Sequence, residues 1–410
     1  MDFIKRDIES PLRKALLDAP VLYLNGPRQA GKNTLCRSLG DDFHYVTFDR
    51  VATQASAQAD PIAFVNSLPP KTIIDEVQLV PEIFRAIKYL IDELRLTSNR
   101  SVAGHFLLTG SANIMALPNL AESLVGRMQA LTLLPFSAAE ALDGTINFIP
   151  SLFEKAPLFQ KVSSGPTLYQ IIQNASFPEV SLRNLTDPVA WYENYLSNII
   201  NRDIKALADI DKITQLPRMF TLLANRAGNL LNHASFSRDV GLAVSTYKRY
   251  LTLLEHVFLV ILVEPWFKNT TKRLVKSPKI YITDTALLLA SLGQTSIDDS
   301  SIKGAILENF VASELTKHIC CLKGYKLFYF RTSDGKEVDF VVERNDGAII
   351  AVEVKYASTV TSSDFKGLKS LQKETGPDFI RGIVLYQGDE VLPFGDVFFA
   401  MPLSCLWTKS

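Results

Sequence analysis

Gly26-Pro27-Arg28-Gln29-Ala30-Gly31-Lys32-Asn33-Thr34 decides how the first third of this chain folds. The apolar run Val21-Leu22-Tyr23-Leu24 precedes it and Leu35-Cys36-Arg37-Ser38-Leu39 follows, so the pattern predicts strand, glycine-rich loop, helix. A phosphate-binding loop requires that context. Two glycines let successive backbone N–H groups turn toward one anion, the helix beginning near Lys32 adds its positive end, and Lys32 adds a full charge. One residue departs from the pattern. Ser or Thr ordinarily follows the lysine and gives its hydroxyl to Mg²⁺, whereas Asn33 offers an amide oxygen of different reach and charge. The expected ligands are ATP or ADP with Mg²⁺, held by Gly26 through Thr34, with hydrolysis the weaker inference.

Lys71-Thr72-Ile73-Ile74-Asp75-Glu76 is a short apolar strand ending in two acids, the pattern of a Walker B strand. Asp75 is expected to hold the Mg²⁺ shell and Glu76 to polarise the attacking water. A third strand, His105-Phe106-Leu107-Leu108, leads into Thr109-Gly110-Ser111-Ala112-Asn113. Polar groups at the carboxyl ends of parallel strands sit where ligands bind, so Thr109 or Ser111 could sense the γ-phosphate. The same residues could equally cap the next helix. A helical stretch ending at Gly126-Arg127 and a further strand, Ala130–Leu134, complete the pattern.

The chain has 410 residues, with 43 Lys plus Arg balanced by 43 Asp plus Glu. That length implies two or three domains, and the balance leaves nucleic-acid contact to local patches. Val257–Val263, the longest apolar run, is too short to cross a bilayer, and the charged start Met1–Asp7 is no signal peptide. The four cysteines (Cys36, Cys320, Cys321, Cys405) have no metal spacing, and the five histidines form no zinc motif. A cytoplasmic setting is expected, without membrane contact. Alternating strands and helices predict a parallel α/β sheet up to about residue 150; a mostly helical region follows to about 290, and an α/β segment from 291 to 410.

That last segment holds a second constellation. Lys336–Glu343 and Ala348–Lys355 read as strands joined by Arg344-Asn345-Asp346-Gly347, a hairpin signal. Glu337 and Asp339 share one face of the first strand, and Glu353 and Lys355 one face of the second. Asp339, Glu353 and Lys355 are thus expected to converge, with Glu308 contributed by the helix Gly304–Glu314. Two or three acids beside a lysine suit metal-dependent phosphodiester cleavage: Glu308, Asp339 and Glu353 would hold Mg²⁺ or Mn²⁺ while Lys355 orients water. The set resembles the PD-(D/E)xK nuclease core, whose members include both cleaving enzymes and inactive binding modules.

Between the two ends, Phe236–Ala243 reads as a short helix, Val244-Ser245 as a turn with Ser245 as N-cap, and Thr246–Glu255 as a second helix. Tyr250, Leu253 and Leu254 would face inward, Lys248 and Arg249 outward. Lys268–Lys279 then carries five positive charges and no acid in twelve residues. Helix-turn-helix plus a basic wing is a DNA-docking layout; it is equally a packing module between domains.

The ordered set GPRQAGKNTL (26–35), TIIDEVQ (72–78), FLLTGSAN (106–113), LTLLPFSAAE (131–140), KSPKIYITDTALL (276–288), EVDFVVE (337–343) and AVEVK (351–355) resembles the bacterial and archaeal AAA-type ATPases that carry a DUF4143 region. The resemblance spans nearly the whole chain. It implies an AAA+ core (1–150), a helical and winged-helix region (151–290), a PD-(D/E)xK-like domain (291–410) and a homo-oligomer. In that scheme Arg127 holds the arginine-finger position, reaching a neighbouring subunit's nucleotide; Arg28 and Arg202 are weaker candidates. Asn33 departs from the family's usual GKTT. Three functions remain open: an ATPase controlling DNA cleavage, a slowly hydrolysing switch that binds partners, and an ATPase whose C-terminal domain grips DNA.

Overall fold

A computed structural model describes residues 4–97, 101–113, 124, 126–154, 166–174, 176–183, 185–205, 213–268, 276–294, 297 and 302–408. The chain divides into two compact units, one of Lys5–Pro135 with His256–Phe258, the other of Phe136–Glu255 with the chain from Leu259 onward.

The N-terminal unit is built on β1 (Val21–Asn25), β2 (His44–Thr47), β3 (Thr72–Asp75), β4 (Phe106–Gly110) and β5 (Met128–Thr132). All neighbours pair in parallel, in the order β2-β3-β4-β1-β5. Strands covered on both faces need continuous apolar runs rather than alternation, and β1, β3 and β4 are buried along their whole length. Helices α1 (Glu9–Asp18), α2 (Lys32–Arg37), α3 (Val51–Ala59), α4 (Pro61–Asn66) and α5 (Ile83–Thr97) accompany the sheet. The apolar stripe of α5 follows the helical repeat, with Ile83, Phe84, Ile87 and Ile91 buried.

In the C-terminal unit β6 (Val260–Pro265), β7 (Lys279–Ile282), β8 (Tyr325–Arg331), β9 (Glu337–Arg344), β10 (Ile349–Val354), β11 (Phe379–Tyr386), β12 (Leu392–Pro393) and β13 (Phe398–Pro402) form one sheet, ordered β12-β13-β11-β10-β9-β8-β6-β7. The hairpin read from Asp346-Gly347 is present, with Ile349 opposite Glu343 and Val352 opposite Phe340. Gly347 takes φ 89°, a conformation glycine adopts without a Cβ penalty. Helix Lys366–Thr375 lays Leu368 and Leu371 onto a core of Phe330, Val341, Phe365, Phe379 and Phe398.

The sheet runs across the boundary that the pattern suggested near residue 290. β6 pairs antiparallel with β7 and, through Glu264 and Pro265, parallel with β8. Two local expectations are corrected. The first helix of the expected helix-turn-helix pair spans His233–Val240, capped by the Asn232 carboxamide, and ends at Gly241 with φ 77°. The second spans Val244–His256, so Ser245 lies inside it rather than at its N-cap. The turn sits where Gly241 allows a left-handed residue, four positions before the serine that signalled it. Tyr250, Leu253 and Leu254 are buried, and Lys248 and Arg249 are exposed, as the periodicity predicts. The second correction concerns the basic wing. Residues 269–275 lie outside the described residues, and Lys279 is no wing residue: it is a buried member of β7.

Candidate nucleotide site and carboxylate cluster

Register fixes the first site. Val21 and Leu24 of β1 stand opposite Phe106 and Thr109 of β4, and Ile74 of β3 opposite Leu108. The carboxyl ends of these strands therefore share one edge, and Asp75 lies beside Thr109. The Thr109 hydroxyl donates to Asp75 Oδ1, and the Tyr45 hydroxyl donates to Asp75 Oδ2 at 2.5 Å. Asp75 is buried, so both its oxygens are held in fixed directions.

The loop after β1 closes tightly. A Cβ built on Gly26, which has φ 150°, would lie 2.0 Å from the Leu133 carbonyl oxygen. Only glycine lets the backbone pass there. Gln29 and Gly31 also take positive φ, 63° and 93°, and alternating conformations of this kind turn successive N–H groups inward. Lys32 is buried, and its ammonium donates to the carbonyls of Gly26 at 2.8 Å and Pro27 at 2.9 Å. Arg6 fastens the loop from outside, donating to Ala30 O at 3.0 Å and Leu134 O at 2.7 Å. Pro27 and Ala30 belong to the loop's buried wall, and Arg28 is near enough to Glu76 to favour its ionised form.

Asn33 and Thr34 both lie exposed on α2. The Asn33 carboxamide oxygen accepts from Arg37 Nε at 2.9 Å, and the Arg37 guanidinium stacks 4.5 Å above the Tyr45 ring. The oxygen expected at the metal is thus committed to a side-chain pair on the helix surface.

Glu76 takes φ 57°, unusual for a glutamate and costing about 1–2 kcal/mol. Its carboxylate accepts from Gln78 Nε2, which also donates to Ser111 Oγ at 3.1 Å. Burial raises the Glu76 pKa, against the opposing pull of Lys32. A carboxylate on a strained turn, with an elevated proton affinity, has the properties of a group that handles a proton from water. The helix that Thr109 or Ser111 would cap begins outside the described residues.

Arg127 precedes β5, and its carbonyl accepts from Val21 N–H at 3.2 Å. That is the opposite edge of the sheet from the loop, a strand length of about 3.3 Å per residue away. Its guanidinium grips Asp92 of α5 with contacts of 2.5 and 3.0 Å. In this arrangement Arg127 cannot reach its own loop. Arg202 lies on the π-helical turn Ile199–Ile204 of the other unit.

The second site lies in the C-terminal unit. The helix Lys303–Cys321 is fastened to the end of β7 by Asn309, whose carboxamide accepts from Ile282 N at 2.7 Å and donates to Ile282 O at 3.0 Å and Thr285 Oγ1 at 3.1 Å. Ser313 adds a bond to Thr283 O at 2.6 Å. Glu308, immediately before Asn309 on the same helix, is thereby carried to β7. Its Oε1 accepts from Tyr281 OH at 2.6 Å and Lys279 Nζ at 2.9 Å. Lys279 Nζ also contacts Glu337 at 2.5 Å and Asp339 at 3.4 Å. Asp339 Oδ2 accepts from Val354 N at 2.9 Å, and Lys355 Nζ donates to Glu353 Oε1 at 2.8 Å.

Glu308, Asp339, Glu353 and Lys355 are thus gathered together with Lys279, Tyr281 and Glu337. Burial and then the Asp339 charge push Glu308 up to about 7 and Glu353 up to about 8. Burial alone would lower the Lys279 ammonium, but Asp339, Glu308 and Glu337 outweigh it and hold the amine protonated. This donor set does not fit a metal as it stands. Asp339 and Glu308 spend oxygens on an ammonium, and among the described residues no group of three or more His, Cys, Asp or Glu is arranged to hold an ion.

Sequence reading missed Arg6, Tyr45, Gln78, Lys279 and Tyr281. A hydroxyl and an amine gain their partners only through sheet pairing, which spacing along the chain does not reveal. The one available signal was a lysine inside the strand-like run Lys279-Ile280-Tyr281-Ile282.

A family model for the AAA domain matches residues 18–142, the segment that carries the loop and the five-stranded sheet. The chain is therefore an AAA-type P-loop protein with a nucleotide-binding domain. Models for two domains of unknown function follow, DUF8612 over 166–298 and DUF4143 over 303–406. Protein Rv2008c of Mycobacterium tuberculosis is 30% identical over 410 residues, covering 98% of this chain and 85% of its own, and protein Mb2031c of Mycobacterium bovis matches equally. This chain belongs to their family, and in this chain the AAA domain is followed by the DUF8612 and DUF4143 regions. Protein MJ1637 of Methanocaldococcus jannaschii is 23% identical, with 97% and 86% of the two chains covered. Among solved structures, a Walker-type ATPase of Pyrococcus abyssi is 15% identical with a TM-score of 0.42, covering 71% of this chain and 96% of its own. RuvB of Thermotoga maritima is 15% identical at a TM-score of 0.31, covering 71% and 95%. Both likenesses are loose. No helix among the described residues is long and apolar enough to cross a membrane.

Proposed function

We propose that this protein is an ATPase whose nucleotide state governs a DNA-engaging C-terminal region. The observation that carries the reading is the Gly26–Lys32 loop facing Asp75 and Glu76 at one sheet edge, inside a matched AAA domain. Gly26 to Thr34 would enclose the phosphates, with Lys32 exchanging two loop carbonyls for phosphate oxygens. Asp75, oriented by Tyr45 and Thr109, fits the outer shell of a Mg²⁺ ion. Such an ion would neutralise charge developing on the terminal phosphate. Glu76 would orient water, and Thr109 would report on the phosphate through Asp75. Arg127, set on the far edge and paired with Asp92, would serve a neighbouring copy's nucleotide in a homo-oligomer.

The family-model spans support a three-part chain close to 1–150, 151–290 and 291–410. The helix pair His233–Val240 and Val244–His256, with Lys248 and Arg249 outermost, suits a winged-helix element touching a phosphate backbone. Glu308, Asp339, Glu353 and Lys355 suit a nuclease-like core. Lys279, set among the acids, favours the version of this reading that grips DNA without cutting it. The second reading is a slow switch acting on protein partners, and Asn33, tied to Arg37, favours it.

Purified protein incubated with supercoiled plasmid and Mg²⁺ or Mn²⁺, with and without ATP, separates these versions. Nucleotide-dependent retardation without nicking is the expected result. Nicking that Asp339→Ala abolishes establishes cleavage instead. Neither retardation nor nicking would remove DNA from the account and leave the switch.

A further inference from the structure

We infer that Lys279 is the resident cation of the C-terminal carboxylate cluster, occupying the place a divalent metal would need, so that its removal converts the cluster into a divalent-cation site. Lys279 enters from β7, and its side chain is only 3% exposed. An ammonium has three N–H donors, and this one faces three carboxylates: Glu308 at 2.9 Å, Glu337 at 2.5 Å and Asp339 at 3.4 Å. They come from two elements, the helix Lys303–Cys321 and β9. The three acids converge on the ammonium, so the one positive charge stands where their oxygens meet.

Charge counting points the same way. Glu308, Glu337, Asp339 and Glu353 are answered by Lys279, by Lys355 on Glu353, and by Arg331 at 3.6 Å from Glu337. A further divalent ion would sit within a few ångströms of the ammonium and be strongly repelled in a partly buried site. Without the ammonium, Glu308, Glu337 and Asp339 would be left facing one another, the oxygen-rich and acid-rich setting that Mg²⁺ or Mn²⁺ takes. Glu353 Oε2, buried and without a hydrogen-bond partner, is a further acceptor beside them. The lysine is thus more than a packing residue, because the geometry it satisfies is the geometry it excludes.

The test is Mn²⁺ binding to the full chain without nucleotide or DNA, followed by water-proton relaxation and thermal shift. It therefore stands or falls separately from the nucleotide and DNA assignments. Wild type and Lys279→Arg should show no Mn²⁺ binding that depends on Asp339. Lys279→Met should bind at least about tenfold more tightly than wild type, the lower bound for relieving one unit charge at contact distance. Mn²⁺ should raise its melting temperature, and adding Asp339→Asn should abolish both effects. If Lys279→Met does not fold, Lys279→Gln, which also removes the charge but keeps a polar end for the acids, should behave the same way. The inference is overturned if wild type binds Mn²⁺ and Asp339→Asn removes it. It is equally overturned if a folded Lys279→Met variant binds no more Mn²⁺ than wild type.

Discussion

Gly26→Ala isolates the geometry on which the nucleotide loop depends. The new methyl carbon would start 2.0 Å from Leu133 O, where ordinary contact begins at 3.4 Å, so a backbone carbonyl must retreat by 3.4 − 2.0 = 1.4 Å. That carbonyl cannot move alone, because Leu133 N donates to Asn25 O at 2.8 Å, just before Gly26 itself. Forced overpacking costs about 1–3 kcal/mol, the lost backbone bond about 1 kcal/mol, and an L-residue at positive φ about 1–2 kcal/mol. Together these predict about 3–6 kcal/mol, or roughly 10–20 °C in the melting of the N-terminal unit. Nucleotide affinity should fall with it. Gly304→Ala is the matched control: no atom lies within 4 Å of its Cβ and the residue is helical, so it should stabilise by about 0.5–1 kcal/mol. Scanning calorimetry of both variants reads the difference. A Gly26→Ala protein within about 1 kcal/mol of wild type, still binding ATP, would refute the close approach on which the loop assignment stands.

Three further outcomes follow from individual contacts. Tyr45→Phe removes the 2.5 Å bond to Asp75 and should cost about 1.5 kcal/mol in urea denaturation; an unchanged midpoint would mean that Tyr45 does not orient the acid. Asn309→Leu strands the N–H and C=O of Ile282 and should cost about 2–5 kcal/mol, whereas a loss below 1 kcal/mol would show that the helix bearing Glu308 is held by other means. His318 is buried with neither ring nitrogen hydrogen-bonded, and burial lowers its pKa from 6.5 to about 3. Its folded pKa is depressed, so the unfolded chain takes up the proton first, and stability present above pH 6.5 is lost as pH falls toward 3. Between pH 7.5 and 5.5, wild type should lose about 1.4 kcal/mol more than His318→Leu; equal losses would place a proton or a water at the ring.

Much of the N-terminal unit was legible because its signals are local. A buried parallel strand declares itself as Val21–Leu24, a tight loop as two glycines, and the buried Asp75 as the last residue of an apolar run. The hairpin of β9 and β10 was legible for the same reason, since Asp346-Gly347 and period-two alternation need no distant partner. What spacing does not carry is lateral pairing. Nothing along the chain says that Tyr45 reaches Asp75 across the β2–β3 ladder, or that Arg6 closes on Ala30 and Leu134. Lys279 shows the limit most clearly. Its neighbours Lys272, Arg273 and Lys276 made it read as one more solvated charge, and only pairing with β6 and the approach of Glu308 turn it inward. Ser245 misled in the opposite way: a good capping residue was present, but Gly241 had already ended the preceding helix.

Isothermal titration of ATP and ADP into the full chain at millimolar Mg²⁺ goes straight to the nucleotide-binding claim. A saturable isotherm is expected for wild type, lost in Lys32→Ala while the variant keeps its native melting profile. No heat from wild type with either nucleotide, or binding that survives Lys32→Ala unchanged, would contradict it.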